Sequence, residues 1–92
     1  MRGYRYYYSV RREGTIPAEV IATAFANAAA WLESNPQYDA HTAIRKATDH
    51  LPEHVARYAV IGFREAFGVW GSDDESVLML CFAACAARSG EL

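Results

Sequence analysis

Lysine is almost missing from this chain: one Lys stands against eight Arg, with 3 Pro and 2 Cys, in 92 residues. The single Lys46 follows no phosphate-binding turn, and no glycine-rich loop follows a strand pattern. No serine sits in a nucleophile elbow either, so acyl transfer and nucleotide hydrolysis have no visible apparatus. The longest uncharged apolar run, residues 77–87, has 11 residues, well short of the roughly 20 that a membrane-spanning helix needs. A secretory leader would place an apolar stretch directly behind a basic start. Here Arg2 is followed by a Tyr-rich segment broken by Arg5, Arg11 and Arg12, so the expected location is cytoplasmic. Cys81 and Cys85 lie one helical turn apart, where side chains are neighbours but the backbone is badly placed for an unstrained disulfide. They are expected to be reduced thiols that serve as small buried residues against a neighbouring helix.

What remains is an ordinary globular composition: 52% hydrophobic and 22% charged residues, with 6 Gly. At this length one domain over residues 1–92 is expected, and it buries only about 60–65% of the surface of its unfolded chain. The formal charge of -2 hides an asymmetry. Arg2, Arg5, Arg11 and Arg12 against Glu13 make residues 1–13 +3, while the remaining 79 residues, with 5 basic and 10 acidic side chains, carry -5. A basic arm on an acidic helical body over 14–92 is the pattern of an interaction arm, although a solubilising terminus has the same composition.

Along the chain, Tyr4, Tyr6, Tyr8 and Val10 alternate with Arg5, Tyr7 and Ser9, which predicts an N-terminal β-strand. Ile16 before Pro17 should be extended, and Pro17 suits the first position of a helix over 17–34. In it Val20, Ile21, Ala24, Phe25, Ala28, Trp31 and Leu32 recur at three- and four-residue spacing and form one apolar stripe. Asn35 and Pro36 end that helix, and Asp39 caps a second one over 40–50 with Ala43, Ile44 and Ala47 inward. Leu51 and Pro52 repeat the extended-then-helix signal and open a third helix over 52–67. Its inward face is Val55, Tyr58, Ala59, Gly62, Phe63, Ala66 and Phe67. Ser72 and Glu75 form a capping box for a fourth helix that Gly90 stops. From Val77 to Ala87 this last helix is apolar on every side, more circumference than three neighbours can cover. The expected fold is mainly α: a compact four-helix domain with one N-terminal strand.

Three groups of residues invite a chemical reading. His50, Glu53 and His54 have the spacing of an inverted zinc-protease signature, in which two histidines bind the metal and the glutamate acts as base. Pro52 starts a helix between them and aims the two rings differently, so no metal ligand, cofactor or catalytic residue is assigned. Asp73, Asp74 and Glu75 are accounted for by helix capping and the helix dipole. The arm is the third. Arg2, Arg5, Tyr6, Tyr8, Arg11 and Arg12 interleave Arg with Tyr, the residue types that anchor protein interfaces and that also hold phosphates and stack bases. The reading that follows is a small non-enzymatic protein-interaction module with those six residues at the partner. Its size and its Arg- and Ala-rich usage suit a phage or mobile-element accessory or inhibitor protein that occupies a surface of a host protein or nucleoprotein complex. The alternative is a nucleic-acid-binding protein that uses the same arm. A homodimer is expected, because it would cover both the surplus apolar surface of the fourth helix and the unpaired edge of the strand.

Overall fold

The computed structural model describes residues 17–67 and 74–90, which form four helices: α1 (Ala18–Ser34), α2 (Ala40–Ala47), α3 (Glu53–Phe67) and α4 (Asp74–Arg88). The expected strand and the Ser72 half of the capping box lie outside the described residues.

Each helix begins and ends where local chemistry supplies or withholds a backbone partner. Pro17 keeps an extended backbone, with φ -65° and ψ 142°, and its carbonyl accepts from the N–H groups of Val20 and Ile21. Pro52 does the same for Val55 and Ala56 at the start of α3. Both prolines therefore cap their helices from one residue further out than their expected first-turn position. Because proline has no N–H, neither leaves a donor unsatisfied there. Asp39 caps α2: its carboxylate accepts the Thr42 N–H at 2.8 Å. Hydrogen bonds from Thr42, the side chain foremost, and the charge of His41 outweigh the desolvation of Asp39 and hold its carboxyl below the usual range.

The second helix is shorter than its sequence pattern predicts, closing at Ala47 and not at His50. Thr48 is the cause. Its hydroxyl donates to the Ile44 carbonyl at 2.7 Å and its carbonyl accepts the Leu51 N–H at 3.0 Å, which turns the chain toward the extended residue that Pro52 requires. At the end of α1, the Asn35 side-chain amide donates to the Trp31 carbonyl at 2.9 Å and its backbone N–H to that of Leu32. Gly90, at φ +82°, takes the left-handed conformation that stops α4, as its position implied.

Among the described elements, α1 packs most extensively against α4 and next against α2, and α3 touches all three. The core gathers Ile21, Phe25, Ala28 and Leu32 of α1, Ala43 and Ile44 of α2, Val55, Tyr58, Ala59 and Phe63 of α3, and Leu80, Ala83, Ala84 and Ala87 of α4. The rings of Phe25 and Phe63 meet at 6.0 Å with a 43° tilt, tying α1 to α3. Gly62 is buried in mid-helix, while Val20 and Trp31, expected inside, are only half-buried. Trp31 instead meets Tyr38, ring centres 5.0 Å apart, at the surface. Ala22, Ala29, Ala40, Ala56 and Thr48 are buried without having been anticipated.

Candidate functional site

Helix α4 is an apolar helix that its neighbours cover only in part, so one side of it stays open. Ser76, Leu80, Ala83, Ala84 and Ala87 turn inward, a stripe of mostly small side chains that lets the backbones of α4 and α1 approach closely. At 100° per residue, Leu78, Cys81, Phe82 and Cys85 fall on the opposite side within an arc of roughly 100°. All four are exposed, Leu78 at 55% and Phe82 at 57%. The expectation that both cysteines pack inside is therefore corrected: they point outward because the seam with α1 is filled by Ala83, Ala84 and Ala87, and the heptad offset leaves 81 and 85 behind it. Glu75 stands exposed at one end of the outward stripe and Arg88 at the other, with no charged residue between them. The guanidinium of Arg88 reaches back to Glu19 at 3.4 Å, so the C-terminal end of α4 lies beside the N-terminal end of α1.

A groove of about 260 Å³ lies elsewhere, between α1 and the end of α2, floored by Val20, Ala24, Ala47 and Leu51 and rimmed by Glu19, Thr23, Asn27 and His50. Its walls carry no cluster of polar groups buried together, and Glu19 is engaged by Arg88. The histidine and glutamate residues of the zinc-like spacing are spread over the surface. His50 lies in the turn before α3, 3.7 Å from the Asp49 carboxylate, while Glu53 faces Arg45 at 3.8 Å and His54 is exposed in the first turn of α3. Among the described residues no three His, Cys, Asp or Glu side chains come together in a way that would hold a metal ion. No helix of the described residues is long and apolar enough to cross a membrane.

The arm residues Arg2, Arg5, Tyr6, Tyr8, Arg11 and Arg12 lie outside the described residues. The outward stripe is a feature that the sequence announced only in part. Its apolar content was legible, but not the direction in which it points, which depends on how α1 and α4 meet.

The described fold is thus an all-α arrangement with an apolar outer helix face. Comparison with protein-family models, curated proteins and solved structures finds no match to this chain.

Proposed function

We propose that this protein is a small non-enzymatic interaction module whose outward α4 face is a protein-binding surface. The observation that carries this reading is the stripe of Leu78, Cys81, Phe82 and Cys85, exposed on a helix whose opposite side already supplies its share of the core. Large apolar side chains scattered singly over a surface are ordinary, whereas four uncharged ones aligned at i, i+3, i+4 and i+7 make a continuous strip of the kind that a partner's side chains cover. The six Arg and Tyr residues of the arm add the anchoring types that interfaces favour. An accessory or inhibitor protein that works by occupying a surface of a host complex needs no more apparatus than this.

The test compares wild-type protein with the Leu78→Glu and Phe82→Glu variants in capture from the source cell. A discrete protein retained by the wild type and lost by both variants, whose helical content is unchanged, supports the reading. Equal capture by all three chains, with no stripe-dependent pairing of the chain with itself, contradicts it. Nucleic acid in place of protein, released at moderate salt and dependent on the four arm arginines, would support the alternative.

A further inference from the structure

We infer that the protein partner of the outward α4 face is a second copy of this chain, paired antiparallel about a two-fold axis that passes between residues 81 and 82. This rests on the reading of that face as a protein-binding surface and adds the identity and geometry of the occupant.

The placement of residues along the face identifies the occupant. An isologous contact sets residue i against j and j against i, so a strip can pair with its own copy when each residue suits the one at its mirrored position. This one does: apolar positions meet apolar ones, and the acidic end meets the basic end. Leu78 and Cys85 stand equally far from the point between Cys81 and Phe82, and so do Glu75 and Arg88. In an antiparallel pair centred there, Leu78 is level with Cys85 of the other copy, the two Cys81 side chains flank the axis on one side, and the two Phe82 rings flank it on the other. The acidic end of each helix is level with the basic end of its mate, and the two helix dipoles oppose each other. A parallel pair would bring Glu75 beside Glu75 and Arg88 beside Arg88.

Size sets the strength. With little more than half of Leu78 and Phe82 open, the four side chains offer a few hundred Å² per copy, against about 800 Å² per partner in a standard interface. The pair is therefore a reversible dimer that forms with concentration. The small Cys81 at the crossing lets the two backbones approach, and each Cys81 then comes within disulfide reach of its copy. The two Cys85 residues are held apart by about 10 Å along the axes, from the 1.5 Å rise per residue.

The experiment measures mass by light scattering across a wide concentration range, then adds a thiol oxidant, diamide, which is reduced as two thiols give up two protons and two electrons to form one disulfide. The expected mass rises from 10.2 kDa toward twice that value. Phe82→Glu raises the dissociation constant at least about tenfold, the effect of one buried like-charge contact worth 1.4 kcal/mol or more, while its circular dichroism matches the wild type. Diamide yields a covalent dimer with wild type and with Cys85→Ser, and none with Cys81→Ser. A mass of 10.2 kDa at every concentration overturns the inference. So does a covalent dimer that survives in Cys81→Ser and is lost in Cys85→Ser, which places the contact elsewhere. A monomer whose thiols are shielded, and become reactive when Tyr6 and Tyr8 are replaced by Ser, would overturn it in favour of the N-terminal segment as occupant. If the chain stays monomeric while stripe-dependent capture of another protein persists, self-pairing fails and the functional reading stands. If that capture is also absent, both fail.

Discussion

Helices α1 and α4 are alike in length, 17 and 15 residues, both are rich in alanine, and they pack on each other more extensively than any other described pair, yet their outer sides differ in kind. The outer side of α1 shows Glu19, Thr23, Asn27 and Ser34 to water, the usual polar complement of an apolar stripe. The outer side of α4 shows Leu78, Cys81, Phe82 and Cys85. Folding accounts for the whole of α1 and for only half of α4. An inward stripe is enough to seat a helix, so the outward one needs a second explanation, and a partner supplies it.

The contrast is sharpest for chemically identical residues on the two sides of α4 and in the core. Phe63 is fully buried against Phe25, and Phe63→Ala should cost about 3–5 kcal/mol in denaturant unfolding. Phe82→Ala in dilute protein should stay within about 0.5 kcal/mol of wild type. Leu80 and Leu78, two residues apart in one helix, should divide in the same way: about 2–5 kcal/mol lost for Leu80→Ala and almost none for Leu78→Ala. Equal losses within either pair would mean that the outward face is covered within the chain.

A smaller effect probes the seam itself. Ala83 is fully buried where α4 meets the rest of the core, and Ala83→Leu should destabilise by about 1–3 kcal/mol through overpacking. The same enlargement at Cys85, on the open side, should be tolerated. Thermal unfolding of the two variants side by side decides whether the inward stripe is as tight as its alanines imply.

Capping gives a lesser effect still. Asp39→Ala should cost about 0.5–2 kcal/mol by releasing the Thr42 N–H. The folded pKa of Asp39 is lowered, so its contribution is present in full above the unfolded carboxylate pKa and is lost as pH falls through the lower folded value. The difference between wild type and Asp39→Ala should therefore be constant near neutrality and shrink below about pH 4. A difference that grows in acid would contradict the assigned cap.

These expectations also show how much was legible beforehand. Helix starts at Pro17, Asp39 and Pro52 and the stop at Gly90 rest on local backbone chemistry, which a sequence displays, and each lies within one residue of its expected place. The end of α2 was misjudged because Thr48 turns the chain through its own hydroxyl, a competition between side chain and helix that periodicity does not register. Ala22, Ala29 and Ala40 escaped notice as core because alanine is at home inside or outside, and only the close approach of neighbouring helices decides. Cys81 and Cys85 were misplaced for the same reason: with apolar residues all round α4, no pattern distinguishes the side that meets α1. The Arg and Tyr residues of the arm lie outside the described residues, and their role is a matter for binding measurements. If they meet a protein, affinity should depend weakly on salt. Four phosphate contacts would instead give a slope of log affinity against log salt near about -3 to -4.

A binding role for α4 requires Leu78, Cys81, Phe82 and Cys85 to be open in the single folded chain. Thiol labelling of Cys81 and Cys85 in native protein, at a concentration low enough to keep chains apart, measures that. Both thiols should react within about tenfold of their rate in the unfolded chain, without waiting for unfolding. Labelling slowed by a factor of about 10³ or more, and accelerating with denaturant in step with global unfolding, would show that the face is buried and contradict the account.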